Sequence, residues 1–275
     1  MSNKIFQCRS REGYSLKILA ELLQNCLRTA CFEIDNTGIK LRMMDHHRAV
    51  LIDLKLDSHN FSIYKFKSNE KLFLGINLTH FHKMLKSIKK RDSIELFIEE
   101  NCPTDLVIKV SPKDSNRVTT STIKIQNIQN LDIDLPEGYV TPVIVPSGEF
   151  QKMCKGLTHI SNQTRVTAKG FLIRFSTDAG GVMKRYTEFG ETEDEEQDDE
   201  EKSKNVEYID EFGTDQLTKI TKLAGLSANI QIYAKTDNPL MFRSHIGSLG
   251  TISIYVKSKS LQEVESHTLD EEDDE

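Results

Sequence analysis

The sequence predicts an α+β protein of two domains in which short strands dominate. Three observations predict it. Most of the chain reads in period two, which places alternate side chains on opposite faces of a sheet. Four short stretches switch to helical spacing, and they recur at near-equal intervals along the 275 residues. A chain of that length exceeds the roughly 100 to 200 residues of a single typical domain.

The elements follow in order. Leu16, Leu19, Ala20, Leu23 and Leu27 form one apolar stripe, predicting a helix from about Gly13 to Thr29. Alternating runs then predict strands at Ala30 to Asp35, Gly38 to Met43, Ala49 to Leu56 and Leu72 to Ile76. Asn77 is a natural cap for a second helix, Leu78 to Ser87. Strands at Ser93 to Ile98, Asp105 to Val110 and Thr119 to Ile125 complete the first half. The segment from Gln126 to Tyr139 ends in turn residues but carries Ile128, Leu131, Ile133 and Leu135, so it reads as a linker that lies on something apolar. A strand at Val140 to Val145 leads to a third helix, Gly148 to Leu157, capped by Ser147. Strands at Gly170 to Thr177, Val182 to Phe189 and Val206 to Ile209 precede a fourth helix, Asp215 to Leu223, capped by Thr214. The last strands are Asn229 to Ala234, Leu240 to His245 and Thr251 to Lys257.

The four helices repeat one another. Lys17-Ile18, Lys83-Met84, Lys152-Met153 and Lys219-Ile220 each set a lysine beside an apolar residue, at intervals of 66, 69 and 67 residues. Each interval is a quarter of the chain, which points to a fourfold repeat of helix plus strands. Positions three apart share a helix face, so Lys83, Lys86 and Lys90 align, as do Lys152, Lys155 and His159, and Lys219 with Lys222. Lysines on one exposed face are ordinarily just solvated charge. Four faces in register argue for a common basic surface.

Charge is distributed unevenly. The formal net charge is −6, but Glu191 to Glu201 holds nine carboxylates and Asp270 to Glu275 holds six, and neither run has a Lys or Arg. Without them 36 basic residues face 27 acidic ones, a basic body suited to nucleic acid. The acidic runs are expected to be solvated insertion and tail, since like charges repel and cannot be buried. Other classes lose support. No apolar run approaches the ~18 residues of a membrane span, and Met1 to Arg9 lacks the apolar core of an export signal. The five cysteines, Cys8, Cys26, Cys31, Cys102 and Cys154, make no Cys-x-x-Cys pair, and no histidine pair has ligand spacing, so neither a metal nor a cofactor is expected. A Gly-rich phosphate loop, a Gly-x-Ser-x-Gly elbow and a His-Glu-x-x-His motif are all missing, which argues against an enzyme.

Particular stretches resemble one family. Ala30-Cys31-Phe32-Glu33-Ile34 with Gly38-Ile39-Lys40-Leu41-Arg42-Met43-Met44-Asp45 is similar to the proliferating cell nuclear antigen (PCNA) sliding clamps. So are Leu74-Gly75-Ile76-Asn77-Leu78-Thr79 leading to Lys83-Met84-Leu85-Lys86, and Val145-Pro146-Ser147-Gly148-Glu149-Phe150 leading to Cys154, Leu157, His159 and Ile160. Asn238-Pro239-Leu240 and the acidic carboxyl terminus continue the likeness, while Thr177 to Asp215 matches poorly.

The resemblance implies a DNA-clamp fold: two similar domains, each with antiparallel sheets and two short helices, assembling into a closed ring. The domains would be 1–125 and 140–275, joined by an interdomain linker at 126–139. It implies a homotrimer that encircles double-stranded DNA without reading its sequence and catalyses nothing. DNA polymerase, a clamp loader, nuclease and ligase would bind through short peptide motifs, in the nucleus or at the replication site of a DNA virus. Lys17, Lys83, Lys86, Lys90, Lys152, Lys155, His159, Lys219 and Lys222 would line the hole. The partner groove carries over to Met44, Arg48, Leu51, Ile133, Leu135, Pro136, Pro239, Tyr255, Val256 and Lys257. Arg48 stands where the family commonly has His, and Lys257-Ser258 replaces an Ala-Pro pair, so motif preference is expected to differ. Edge strands holding Arg117, Val118, Thr119, Thr120, Ser121 and Thr122 on one side and Val182, Met183, Lys184, Arg185 and Tyr186 on the other would join the subunits. The alternatives are a subunit of a heterotrimeric checkpoint-type clamp and a monomeric DNA-binding processivity factor.

Overall fold

Strands β1 (Lys4–Ser10), β2 (Thr29–Asp35), β3 (Gly38–Met44), β4 (Val50–Asp57), β5 (Ile63–Phe66), β6 (Leu72–Asn77), β7 (Ser93–Glu99), β8 (Cys102–Ser111) and β9 (Thr119–Lys124) form the first half. Helix α1 (Gly13–Cys26) follows β1, and α2 (Leu78–Leu85) follows β6. The second half restates that order with β10 (Val143–Pro146), α3 (Ser147–Thr158), β11 (Gln163–Lys169), β12 (Leu172–Asp178), β13 (Lys184–Gly190) and β14 (Tyr208–Gly213). It closes with α4 (Thr214–Lys219), β15 (Asn229–Tyr233), β16 (Leu240–Ile246) and β17 (Gly250–Val256), then α5 (Lys259–Glu272). The structure, a computed structural model, describes residues 3–113, 116–191 and 208–272, with backbone alone for 266–272. Most of the acidic insertion expected at 191–201, and the tail beyond Glu272, lie outside the described residues.

Three antiparallel sheets result, ordered β5-β1-β7-β8-β9, β10-β15-β16-β17-β4-β3-β2-β6 and β13-β12-β11-β14. The eight-stranded sheet crosses between halves where β17 pairs β4, with Ile254 opposite Ile52. That junction has a counterpart. By order along the chain, β17 corresponds to β9 and β4 to β13, and β9 and β13 are the terminal strands of the other two sheets.

The helices lie over the sheets and bury one side each. α3 turns Phe150, Met153, Cys154 and Leu157 into the core, the i, i+3, i+4, i+7 positions of one stripe. Phe150 packs on Phe175 and Phe242, with ring centroids 6.0 and 5.5 Å away. α1 buries Leu16, Leu19, Leu22 and Leu23, and α2 buries Leu78, Phe81 and Leu85. Burial also pushes the Cys8 and Cys154 thiols up to about 12, so neither is a ready nucleophile.

Several elements differ from expectation. β1, β5, β11 and α5 were not foreseen. In β11 the buried side chains are Thr164, Val166 and Ala168, too small and too polar to announce a core strand. The strand expected from Val140 begins at Val143, because Pro142 has no N–H to give a ladder. Asn77 does cap α2, its side chain accepting from the His80 N–H at 3.0 Å. Ser147 does not cap α3; its hydroxyl donates to the Ser227 and Ala228 carbonyls at 2.5 and 2.9 Å. Thr214 is likewise the first residue of its helix rather than its cap, and its hydroxyl meets that of Thr164 at 2.9 Å. The fourth helix breaks at Ile220 and continues as a 3-10 turn over Thr221–Gly225. Thr218 and Thr221 donate their hydroxyls back to the Thr214 and Thr218 carbonyls there, competing with regular helix. Residues 270–272 of the expected acidic tail continue α5.

Candidate nucleic-acid interface and partner groove

The repeated lysines fall on one layer. α1 packs against α2 and against the 3-10 turn, while α3 packs against α4 and the same turn, so the elements carrying the lysines are contiguous. Lys83, Lys86, Lys152 and Lys155 are exposed opposite the buried stripes of α2 and α3. The helical register does not extend to every member. α2 ends at Leu85, so Lys90 sits on the following turn, and His159 is the residue that ends α3. Lys219 is the last residue of α4, and Lys222 lies in the 3-10 turn.

His82 reports the field of this layer. Burial holds its pKa below the ordinary value; Glu21 opposes that, and the nearby charges of Lys86, Lys17 and Lys222 add to it. Lysines from α1, α2 and the 3-10 turn therefore converge on one imidazole, which meets Gln24 at 2.8 Å. Some of the lysines have carboxylate partners: Lys222 with Glu21 at 2.7 Å, Lys152 with Glu149 at 2.7 Å and Lys219 with Asp215 at 3.6 Å. Pairs at or near the surface are worth about 1 kcal/mol or less. Lys17 instead donates to the Ile88 carbonyl at 3.1 Å. Lys83, Lys86 and Lys155 have no ion pair among the described residues.

A second feature spans the opposite chemistry. Tyr233, Met241, Tyr255, Leu51 and Met44 are successive cross-strand neighbours, one transverse row over β15, β16, β17, β4 and β3. Leu51, Met241 and Tyr255 form a small apolar cluster of their own, onto which Ile133, Leu135 and Tyr139 of the linker pack. The linker is pinned to this sheet and its flanking loops at four points. Gln126 N–H donates to the Gly75 carbonyl at 2.8 Å, where a Cβ on Gly75 would meet the Gln126 carbonyl oxygen at 2.0 Å. Arg42 donates to the Ile133 carbonyl at 3.0 Å, Lys235 to that of Glu137 at 2.9 Å, and the Tyr139 hydroxyl to that of Pro239 at 2.6 Å.

Of the sequence-derived groove set, Met44, Ile133, Leu135, Pro136 and Pro239 are partly exposed along this row, with Leu51 and Tyr255 as its floor. Val256 points the other way, wholly buried in the main core, so only its backbone borders the groove. Arg48 stands exposed on a tight turn with φ of 55°, held by the buried Asp45 carboxylate, which accepts from the Ala49 and Val50 N–H groups at 2.8 Å. Lys257 is turned to Glu265 of α5 at 2.5 Å. Leu131, expected to lie on the body, is exposed. Tyr139, Tyr233, Met241 and Arg42 were missed, because their membership depends on which strands pair across the two halves.

The edge residues cluster as two strips. Val118 is 50% exposed and Tyr186 64% exposed, and Val182 and Met183 are exposed at the turn before β13. Arg185 is tied to the Gly156 carbonyl at 3.2 Å. Among the described residues no group of three His, Cys, Asp or Glu side chains is placed to hold a metal ion.

Comparison with known proteins gives a consistent picture. Residues 5–135 match the sequence model described as "Proliferating cell nuclear antigen, N-terminal domain", and residues 134–259 match "Proliferating cell nuclear antigen, C-terminal domain". The "Probable DNA polymerase sliding clamp 1" of Paramecium bursaria Chlorella virus 1 is 25% identical over 255 residues, covering 92% of this chain and 97% of that protein. The crystal structure of Proliferating Cellular Nuclear Antigen from Entamoeba histolytica superposes with a TM-score of 0.79 at 18% identity, over 93% of this chain and 99% of that one.

Proposed function

The chain belongs to the proliferating cell nuclear antigen family and is a DNA sliding clamp, and we propose that three copies close head to tail into a ring lined by its basic helices. The observation that carries the ring is the β17–β4 junction. Aligning the halves superimposes the order β10-β15-β16-β17-β4-β3-β2-β6 on β1-β7-β8-β9 followed by β13-β12-β11-β14. The second series is one continuous sheet cut at β9 and β13. Pairing β9 of one copy with β13 of the next restores it, a heterologous contact that repeats until the rotation closes. The same pairing covers two edges that would otherwise invite aggregation.

Such a ring acts on DNA by charge and topology. Lysines release counterions from the duplex without reading bases, so the contact holds at any register and permits sliding. The clamp itself catalyses nothing. Polymerase, clamp loader, nuclease and ligase dock short peptides on the Tyr233 to Met44 row, which raises their effective concentration at the template. The site of action is the nucleus or a viral replication site. A particle image with a central hole, and a native mass about three times 31.4 kDa, test the assembly. A solid particle or a stable monomer at micromolar concentration refutes the ring; a trimer formed only with a different subunit favours the heterotrimeric alternative.

Two further results are expected. Ile133→Ala removes about 1–2 kcal/mol of apolar contact and weakens a polymerase-derived peptide roughly tenfold in a titration. Leu51→Ala does the same but also costs stability, since Leu51 is part of a buried cluster. Unchanged affinity in Ile133→Ala relocates the groove. For His82, phosphates laid against Lys17, Lys86 and Lys222 cancel the charges that depress its pKa. Duplex binding therefore raises the midpoint of its ring resonances in an NMR titration, with proton uptake near that midpoint; an unshifted midpoint places DNA away from this layer.

A further inference from the structure

A second basic feature lies outside the helix layer. Where β1 and β8 end and β5 and β7 begin, an open cleft of about 710 Å³ is lined by Arg9, Arg11, Arg91 and Lys113. Among the described residues no carboxylate lines it. None of these four cations has an ion pair among the described residues, although most other basic side chains of the two halves' sheets do.

Three described acids nearby are committed elsewhere. Glu95, cross-strand from Arg9, is turned to Lys4 and Gln7, both at 2.7 Å. Asp92 accepts from the Lys89 N–H at 2.9 Å, and the Glu12 carboxylate is held by Ser248. Four like charges sharing a concavity repel one another, so they lower the stability of the free protein slightly and are relieved by an anion.

The walls are fixed. Ser62 donates from its N–H and its hydroxyl to the Arg9 carbonyl at 2.8 and 2.9 Å, and the Ser93 hydroxyl donates to the Ser111 carbonyl at 3.2 Å. Gly13, the first residue of α1, lies so close to the Asp92 carbonyl oxygen that a Cβ would approach it to 2.6 Å. The cleft is thereby locked to the start of a lining helix. It also adjoins the lining in sequence, because Lys90 belongs to one and Arg91 to the other.

We propose that the cleft formed by Arg9, Arg11, Arg91 and Lys113 is a phosphodiester-binding site, which grips the DNA backbone beyond the helix layer. Three guanidinium forks on a rigid rim suit the planar, bidentate recognition of phosphate oxygens. The lining lysines are point charges that let the duplex slide; the arginine cleft holds a strand at a defined place as it leaves the channel. This rests on the clamp reading given above.

The test uses the full chain and a labelled duplex with a single-stranded overhang, titrated at several salt concentrations. Arg9→Gln with Arg91→Gln and Lys113→Gln is expected to lower the slope of log affinity against log salt by about three, one per lost phosphate contact. Native mass should stay as in the parent, and melting temperature should hold or rise slightly as the repulsion is relieved. Arg9→Lys with Arg91→Lys should keep the slope but lose affinity severalfold, since charge is retained and the fork is not. An unchanged slope and affinity in the Gln variant overturns the proposal. So does displacement of the DNA by polyglutamate at equal charge concentration, which would show a site for any polyanion. Loss of binding in the Gln variant with none in a Lys83, Lys86, Lys152 and Lys155 variant would leave the cleft standing and remove the lining.

Discussion

Replacing Lys83, Lys86, Lys152 and Lys155 together by Glu is expected to weaken duplex association on the order of 10³-fold at low salt, and to lower its salt slope by about four. The reason is geometric. These side chains project from α2, the residue that ends it and α3, opposite Phe81, Leu85, Phe150 and Leu157, so the change adds charge without disturbing the core. Among the described residues only Lys152 of the four has a carboxylate partner, and that pair is exposed. Melting temperature and native mass should therefore hold. Lys169→Glu, on an exposed position of β11, serves as the charge control and should change affinity little. If the quadruple variant binds duplex as the parent does, the helix layer is not the DNA-facing surface.

The second large effect is expected at the strand edges. Val118→Glu combined with Tyr186→Glu should convert the proposed ring, about three times 31.4 kDa, to a monomer in native mass measurement. Both side chains are at least half exposed in the single protomer. Each would become buried when β9 meets β13 of the next copy, where losing an apolar side chain costs about 1.5–3 kcal/mol. A carboxylate left without a partner in that contact costs more. Spread over three equivalent contacts, the loss exceeds what a ring can absorb at micromolar concentration. The monomer should remain folded, since neither residue belongs to the core. Persistence of the trimer would mean that β9 and β13 are not the joined edges.

The partner groove shows where reading the sequence stops. Leu51, Ile133 and Tyr255 were legible as apolar residues in strands and linker. Their neighbours Tyr233 and Met241 were equally apolar, yet nothing in their own segments marked them as members of the same row. Membership is set by the order β15-β16-β17-β4-β3, in which Tyr255 of β17 lies beside Leu51 of β4 from the other half of the chain. Val256 illustrates the converse. It alternates correctly with Tyr255, and for that reason faces the core when Tyr255 faces the linker.

Local spacing alone determined the strand-rich α+β class, four short helices, their buried stripes and the lysines set opposite them. Those features depend on side chains within a turn or two of one another, where 3.6- and 2-residue periods fix which face a residue takes. Tertiary structure decided the rest: the sheet that crosses between halves, the two sheet ends that correspond to that crossing, the breaking of the fourth helix, and the gathering of Arg9, Arg11, Arg91 and Lys113 around one cleft. Each of these rests on which strand lies beside which. Strand pairing is a long-range choice made by the whole core, and short-range periodicity carries no record of it.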